Sequence, residues 1–163
     1  MKSFLTRHLP PVKLHQSVIN GIGSMIGIGI IALLSKVTSM PWLMAPFGAS
    51  CVLLFAAPAS PLAQPINVVA GHLTATAVGL LFLAVFPDAW WSMSASVGVS
   101  IALMVALRIT HPPAGADPIV VFWSQPGWDY LAFPVLVGSV ILVVTATIFH
   151  RLAGSAIYPD KDT

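Results

Sequence analysis

The sequence predicts an all-α membrane protein, a single domain over residues 1–163 built from two similar halves. Each half is a long helix, a short half-helix and a long helix, giving four full spans plus two short helices. Three observations carry this. Only 7% of the residues are charged and 57% are hydrophobic, where a soluble domain carries about a quarter charged residues. Four apolar runs approach the length of a bilayer crossing. The second half of the chain also repeats the pattern of the first.

Charge placement fits a lipid solvent. There are seven Lys or Arg, five Asp and no Glu. Between residues 14 and 150 only Lys36, Asp88, Arg108, Asp117 and Asp129 are formally charged, as the cost of burying charge in hydrocarbon demands. Disordered chains are poor in apolar residues, so disorder is excluded. A single cysteine, Cys51, excludes a disulfide scaffold. The basic residues form no stripe beside exposed aromatics, so no nucleic-acid partner is expected.

A spanning helix needs roughly 20 apolar residues for a ~30 Å core. Residues 17–34, 66–86, 91–107 and 130–149 meet that need with soft ends. Trp42, Trp90, Trp91, Trp123 and Trp128 fall near those ends, where indole rings favour the headgroup region. Residues 46–57 and 113–123 are apolar but short, reaching about 18 and about 16 Å as helices. Pro46 and Pro113 suit first helical positions. Both pieces read as half-helices that dip into the membrane or as parts of broken spans.

The first span has too long an apolar run for a signal peptide, and no small-x-small cleavage site follows it, so it reads as retained. Lys2, Arg7 and Lys13 ahead of it argue for a cytoplasmic N-terminus. An even number of crossings then puts Arg151 and Lys161 inside too. Four spans with two re-entrant pieces satisfy this, and so do six crossings.

The repeat covers approximately 17–86 and 91–150. At an offset of 67 residues Pro46 falls on Pro113, Gly48 on Gly115 and Ala49 on Ala116. Val52, Leu53, Leu54 and Phe55 then fall on Ile119, Val120, Val121 and Phe122, and Gly71 on Gly138. Apolar helices resemble one another by composition alone, but the P-x-G-A match goes further. Interrupted helices in internal repeats mark transporters, with the site between the halves; parallel and inverted repeats are both open.

Chemistry concentrates in the turn 110–118 and the connector 57–65. Proline-rich polar backbone survives at membrane depth only beside protein or a water-filled cavity. Helix starts carry unpaired N–H groups and partial positive charge. Gly48, Ala49 and Ser50 at one start, with Gly115, Ala116 and Asp117 at the other, are expected to form a substrate-binding site for a small anion without a buried Lys or Arg. The bland alternative is that these residues only make tight turns. His111, held extended before Pro112, donates to the anion, changes protonation or caps a half-helix. His72, Gln64 and Asn67 are further candidates to line the path.

Asp117 repels an anion unless Arg108, His111 or a bound proton neutralises it, or it satisfies its own helix start. His8, His15 and His150 lie near the ends and read as interfacial. Gly21–Gly29 lacks a preceding strand and the G-x-G-x-x-G spacing; its Gly23 and Gly27 suit helix packing. Cys51 reads as core filler. No metal-ligand spacing and no Ser-His-carboxylate set is legible, so no cofactor, metal or enzymatic activity is expected.

The segments His111-Pro-Pro-Ala-Gly-Ala, Pro46-Phe-Gly-Ala-Ser and Ser60-Pro-Leu-Ala-Gln-Pro-x-Asn-Val-Val-x-Gly-His72 together resemble the HPP family of small integral membrane proteins over roughly residues 15–150. The resemblance implies a short multi-span fold and, from members in photosynthetic organisms and plastids, nitrite transport. Some members add a nucleotide-sensing CBS pair; this chain looks like the membrane module alone. The expectation is a carrier or channel for a small anion, nitrite first, in a bacterial inner membrane. Lipids are its surroundings, and self-association is expected through faces such as that of Gly23 and Gly27. The rivals are a membrane scaffold without a pathway and an intramembrane enzyme using His111 and Asp117 as acid and base.

Overall fold

The computed structural model describes residues 5–7 and 10–160; the expectations for Lys2, His8 and Lys161 lie outside the described residues. Helix α1 (Leu14–Thr38) is followed by α2 (Ala45–Cys51), which a π turn, Val52–Ala56, prolongs. Helix α3 (Pro65–Val85) and helix α4 (Trp90–Ala106) come next. A 3-10 turn, Pro112–Ala116, leads into α5 (Asp117–Ser124), and α6 (Val137–Ala153) closes the chain. No strand occurs among the described residues. The fold is all-helical.

Local sequence explains the boundaries. Pro46 and Pro65 sit in the first turns of α2 and α3, where a missing N–H costs nothing. Gly154 closes α6 in the left-handed region at φ 56, the usual glycine stop. Ahead of α6, Phe133 takes φ −134, ψ 114 inside an otherwise helical run. Residues before proline are pushed to extended backbone, and Pro134 follows.

Three helical stretches are long and apolar enough to cross a membrane: Leu14–Thr38, Pro65–Val85 and Trp128–Ala153. The expected fourth span is only the 17 residues of α4, about 25 Å. Contacts order the chain end to end. One end joins α1 to α2 and meets the start of the last span, where Trp42 stacks edge-on against Phe133 and the Tyr130 hydroxyl donates to Met44 Sδ. At that end Gln125 also donates to Asp88. The opposite end holds the 57–64 connector, Asn67 donating to Thr110 O, and His150. Helices α1 to α6 therefore run alternately between two ends. Residues Val12 and Ala156 line one hollow, so both described ends of the chain share a side.

Helix α3 is the centre, packed against α4, α5, α6 and the 3-10 turn before α5. Gly79 lets α5 approach: a methyl there would fall 2.9 Å from Pro118 Cα. The buried face of α4 is Ser92, Ser96 and Ser100, small residues four apart that allow close packing in lipid, with Met104 beyond them. The expected self-association face needs correction. Gly23 and Gly27 are buried within the chain, where methyls would fall 2.5 Å from Phe55 Cδ1 and 3.1 Å from Phe55 Cε2. They are spent on packing α1 against its own neighbours.

Candidate functional site

Four buried polar side chains from separate segments meet beside the middle of α3. His72 lies seven residues into α3, about 11 Å from its start. Its Nδ1 is 2.8 Å from Asp117 Oδ2 at the head of α5, and its Nε2 is 2.8 Å from Ser50 Oγ on α2. The same Ser50 oxygen is 2.8 Å from His111 Nε2, and His111 Nδ1 is 2.8 Å from Leu62 O in the connector. Thr76, one turn beyond His72, donates to Asp117 Oδ2 at 3.3 Å. Ser50, His72, Thr76 and His111 are 0% exposed and Asp117 1%.

The backbone holds this arrangement for stated reasons. Proline at 112 and 113 fixes His111 in extended backbone, φ −131, ψ 102, so its ring points across to α2 and the connector. Gly71 makes room for it. A methyl at Gly71 would fall 2.7 Å from His111 Cβ and 3.3 Å from Ile109 O. Phe47, on α2, stacks edge-on against His72 at 5.2 Å between centroids, which walls the imidazole on that side.

Asp117 is paired with His72, not with Arg108 or His111. Arg108 is exposed, in the left-handed region at φ 60. Asp117 Oδ1 has no hydrogen-bond partner among the described residues. Beside the cluster the two short-helix starts adjoin an open groove of about 580 Å³, lined by Ala45, Pro46, Ala49, Val52, Leu53, Pro112, Pro113 and Ala116. Its wall is apolar; the polar groups stand just behind it, at Ser50 and His111.

Of the residues picked from sequence, Ser50, His72, His111 and Asp117 come together. Ala49 and Ala116 line the groove. Gly48 and Gly115 lie beside it in open space, with nothing within 4 Å of a methyl at Gly48 and only Ile101 at 4.0 Å from one at Gly115. Gln64 and Asn67 stand outside the cluster. Gln64 Nε2 donates to Pro58 O and Ser60 O, its Oε1 accepts from Asp160 N, and Asn67 Nδ2 ties down Thr110 O. Gln64 shapes the connector and Asn67 the turn before His111.

Sequence reasoning missed Thr76, the Leu62 carbonyl and the tail. A signal for Thr76 exists: His72 and Thr76 lie four apart on one face of an apolar helix. The tail clips onto the connector through Tyr158, whose hydroxyl donates to Ala63 O at 2.9 Å. Burial pushes the Tyr158 phenol above its ordinary range. His150, buried rather than interfacial, binds Leu54 O and Ser155 Oγ at 2.8 Å each.

Chemically, the cluster is a continuous hydrogen-bonded chain of carboxyl, imidazole, hydroxyl and imidazole, closed to solvent. Among the described residues no three His, Cys, Asp or Glu side chains are placed to hold a metal ion.

The family model for the HPP transmembrane region matches residues 9–159. Two transmembrane proteins of Dictyostelium discoideum are similar over 151 residues, one 35% and the other 30% identical. Each match covers 85% of this chain, and 48% and 53% of the respective relative, so the chain spans about half the length of the curated relatives it matches. No solved structure matches it significantly.

Proposed function

The chain belongs to the HPP transmembrane family, and on that premise we propose that it carries a small inorganic anion, nitrite first, across a membrane. One observation carries the reading: Ser50, His72, His111 and Asp117 form a buried hydrogen-bonded chain that joins α2, the middle of α3, the turn before α5 and the head of α5. Polar groups at membrane depth are expensive and mark pathways. The His111 imidazole, once it carries a proton on Nε2, would bind the anion in place of its bond to Ser50, the anion entering through the groove past Ala49 and Ala116. Asp117 does not repel it, because the His72–Asp117 pair carries no net charge when it holds one shared proton.

Further features support this reading. The short pieces α2 and α5 each stand between longer helices, with α4 the shortest of these at 17 residues, which suits the two-half carrier expected from the sequence. Lys13 and Arg151 share one end of the bundle, which we assign to the cytoplasm of a bacterial cell.

Purified protein in vesicles tests it. Wild-type vesicles should take up nitrite faster than protein-free ones, and His111→Ala should slow uptake about tenfold, the worth of one hydrogen bond to a charged group. Uptake no faster than in protein-free vesicles would overturn the reading and favour the scaffold.

A second reading has its own observation. Asp117 Oδ2, His72 Nδ1, His72 Nε2 and Ser50 Oγ follow the atom order of a hydrolase triad. Against it, the Ser50 oxygen is shut from solvent and held by a second imidazole. A phosphonylating serine probe decides: labelling of Ser50 would establish the hydrolase.

A further inference from the structure

We propose that the chain from Asp117 through His72 and Ser50 to His111 holds one transferable proton, which travels with the anion and makes the protein a proton-coupled carrier. This rests on the anion reading above. Its starting point is Leu62 O, a carbonyl that only accepts, so the His111 Nδ1 facing it at 2.8 Å bears hydrogen. In a neutral imidazole Nε2 then accepts; the Ser50 hydroxyl also lies 3.1 Å from Pro46 O, but its one hydrogen goes to His111 Nε2 at 2.8 Å, where two lone pairs would otherwise face each other. The Ser50 oxygen in turn accepts from His72 Nε2 at 2.8 Å. That leaves His72 Nδ1 bare, 2.8 Å from Asp117 Oδ2. Two lone pairs do not meet at that distance away from water. One hydrogen therefore sits between carboxyl and imidazole.

That hydrogen has somewhere to go. Asp117 passes its proton to His72 Nδ1, the His72 Nε2 proton passes to Ser50 Oγ, and the Ser50 proton passes to His111 Nε2. Three bonds to hydrogen break and three form. The carboxyl becomes carboxylate, His111 becomes imidazolium, and the net charge of the cluster is unchanged. Charges separated in a dry site are costly, so this state needs a negative charge beside His111. His111 leads straight into Pro112 and Pro113, which line the groove. An anion there stabilises the imidazolium, and by reciprocity the imidazolium holds the anion. The proton then leaves with the anion as the neutral acid, and Asp117 takes up the next one when the cluster, closed to solvent in this state, opens to water on the side from which the anion enters. Oδ1 of Asp117, buried and unpartnered among the described residues, keeps the carboxyl free to take the next proton.

Few other titratable groups face the chain. From the segment before α6 comes Tyr130, whose hydroxyl donates to Met44 Sδ. Cys51 on α2 faces Gly27 of α1 instead. His150 and Arg151 lie at the far end of α6, and Asp129 is exposed. Helix α4 and the 57–64 connector contain no titratable side chain.

The test uses the full chain in vesicles holding a pH-sensitive dye, with nitrite as the probe and protein-free vesicles as baseline. Wild type should move one proton with each nitrite, so one pH unit should drive about tenfold accumulation. Asp117→Asn should bring the proton-to-nitrite ratio close to zero at whatever rate remains. Ser50→Ala, which cuts the chain with little change of shape, should abolish the response to the gradient. Nitrite uptake by wild type with no accompanying proton overturns the coupling and leaves the anion reading standing. An unchanged ratio in both variants overturns the relay. Absence of nitrite uptake by wild type overturns the anion reading itself, and the coupling with it.

Discussion

His72 Nδ1 stands 2.8 Å from Asp117 Oδ2, and neither side chain reaches solvent. The two come from helices that share no turn, so the pair pins the head of α5 to the middle of α3. Truncating one member leaves the other buried without its partner, at a cost of about 3–5 kcal/mol. Asn at 117 keeps a hydrogen-bonding group of nearly the same shape opposite the imidazole. His72→Ala should therefore destabilise the protein well beyond Asp117→Asn. Thermal unfolding in detergent reads the difference, and equal losses would mean that the pair does not hold the helices.

Gly71 should prove far less replaceable than Gly29. A methyl at 71 meets His111 Cβ at 2.7 Å, whereas one at 29 meets nothing within 4 Å. Overpacking of this kind costs typically about 1–3 kcal/mol. It would also move His111 off Ser50 and so slow the nitrite uptake proposed above. Gly29→Ala should hold or raise the unfolding temperature, since Ala gains up to about 1 kcal/mol of helix propensity over Gly, and should leave the proposed nitrite uptake unchanged. Matching behaviour of the two variants would remove the close fit as the reason for glycine at 71.

Much of this was legible in the sequence. Apolar runs and sparse charge give α1, α3 and α6, and Pro46 and Pro113 mark the two short pieces to within a residue or two of Ala45 and Pro112. His111 and Asp117 stand out as polar residues in an apolar region. What sequence cannot carry is distance across the fold. Ser50 and His111 lie 61 positions apart and His72 and Asp117 lie 45 apart, so no spacing rule joins them. Gln64 and Asn67 look like pathway donors because they are polar, yet the carbonyls they bind are close by in the connector and the turn. Gly23 and Gly27 read as an outward face because periodicity fixes a face without naming what covers it.

The hydroxyls of Ser50 and Ser92 should answer opposite ways to removal. Ser50 is bonded to two imidazoles, so Ser50→Ala leaves buried polar groups unsatisfied, worth about 1–3 kcal/mol. Ser92 Oγ is buried and has no partner among the described residues. Ser92→Ala takes away only an unmet hydroxyl, and stability should hold or rise. Unfolding temperature measures both, and a loss at Ser92 as large as that at Ser50 would reveal a partner there.

Tyr158 ties the tail to the connector whose next carbonyl back, Leu62 O, receives His111. Tyr158→Phe removes one hydrogen bond while keeping the ring packed on His150 at 5.9 Å, a loss of about 1 kcal/mol. A pH dependence separates this bond from general packing. Burial raises the folded phenol above its unfolded value, so the folded state keeps its proton after the unfolded state has lost it. Stability from this group is therefore whole below about pH 10 and falls as pH climbs beyond that. The phenylalanine variant has no proton to lose at that site. In unfolding measured between neutral and strongly alkaline pH, wild type should start higher and converge on Tyr158→Phe. Two parallel curves would mean that the phenol is open to solvent and that the tail does not clip the connector.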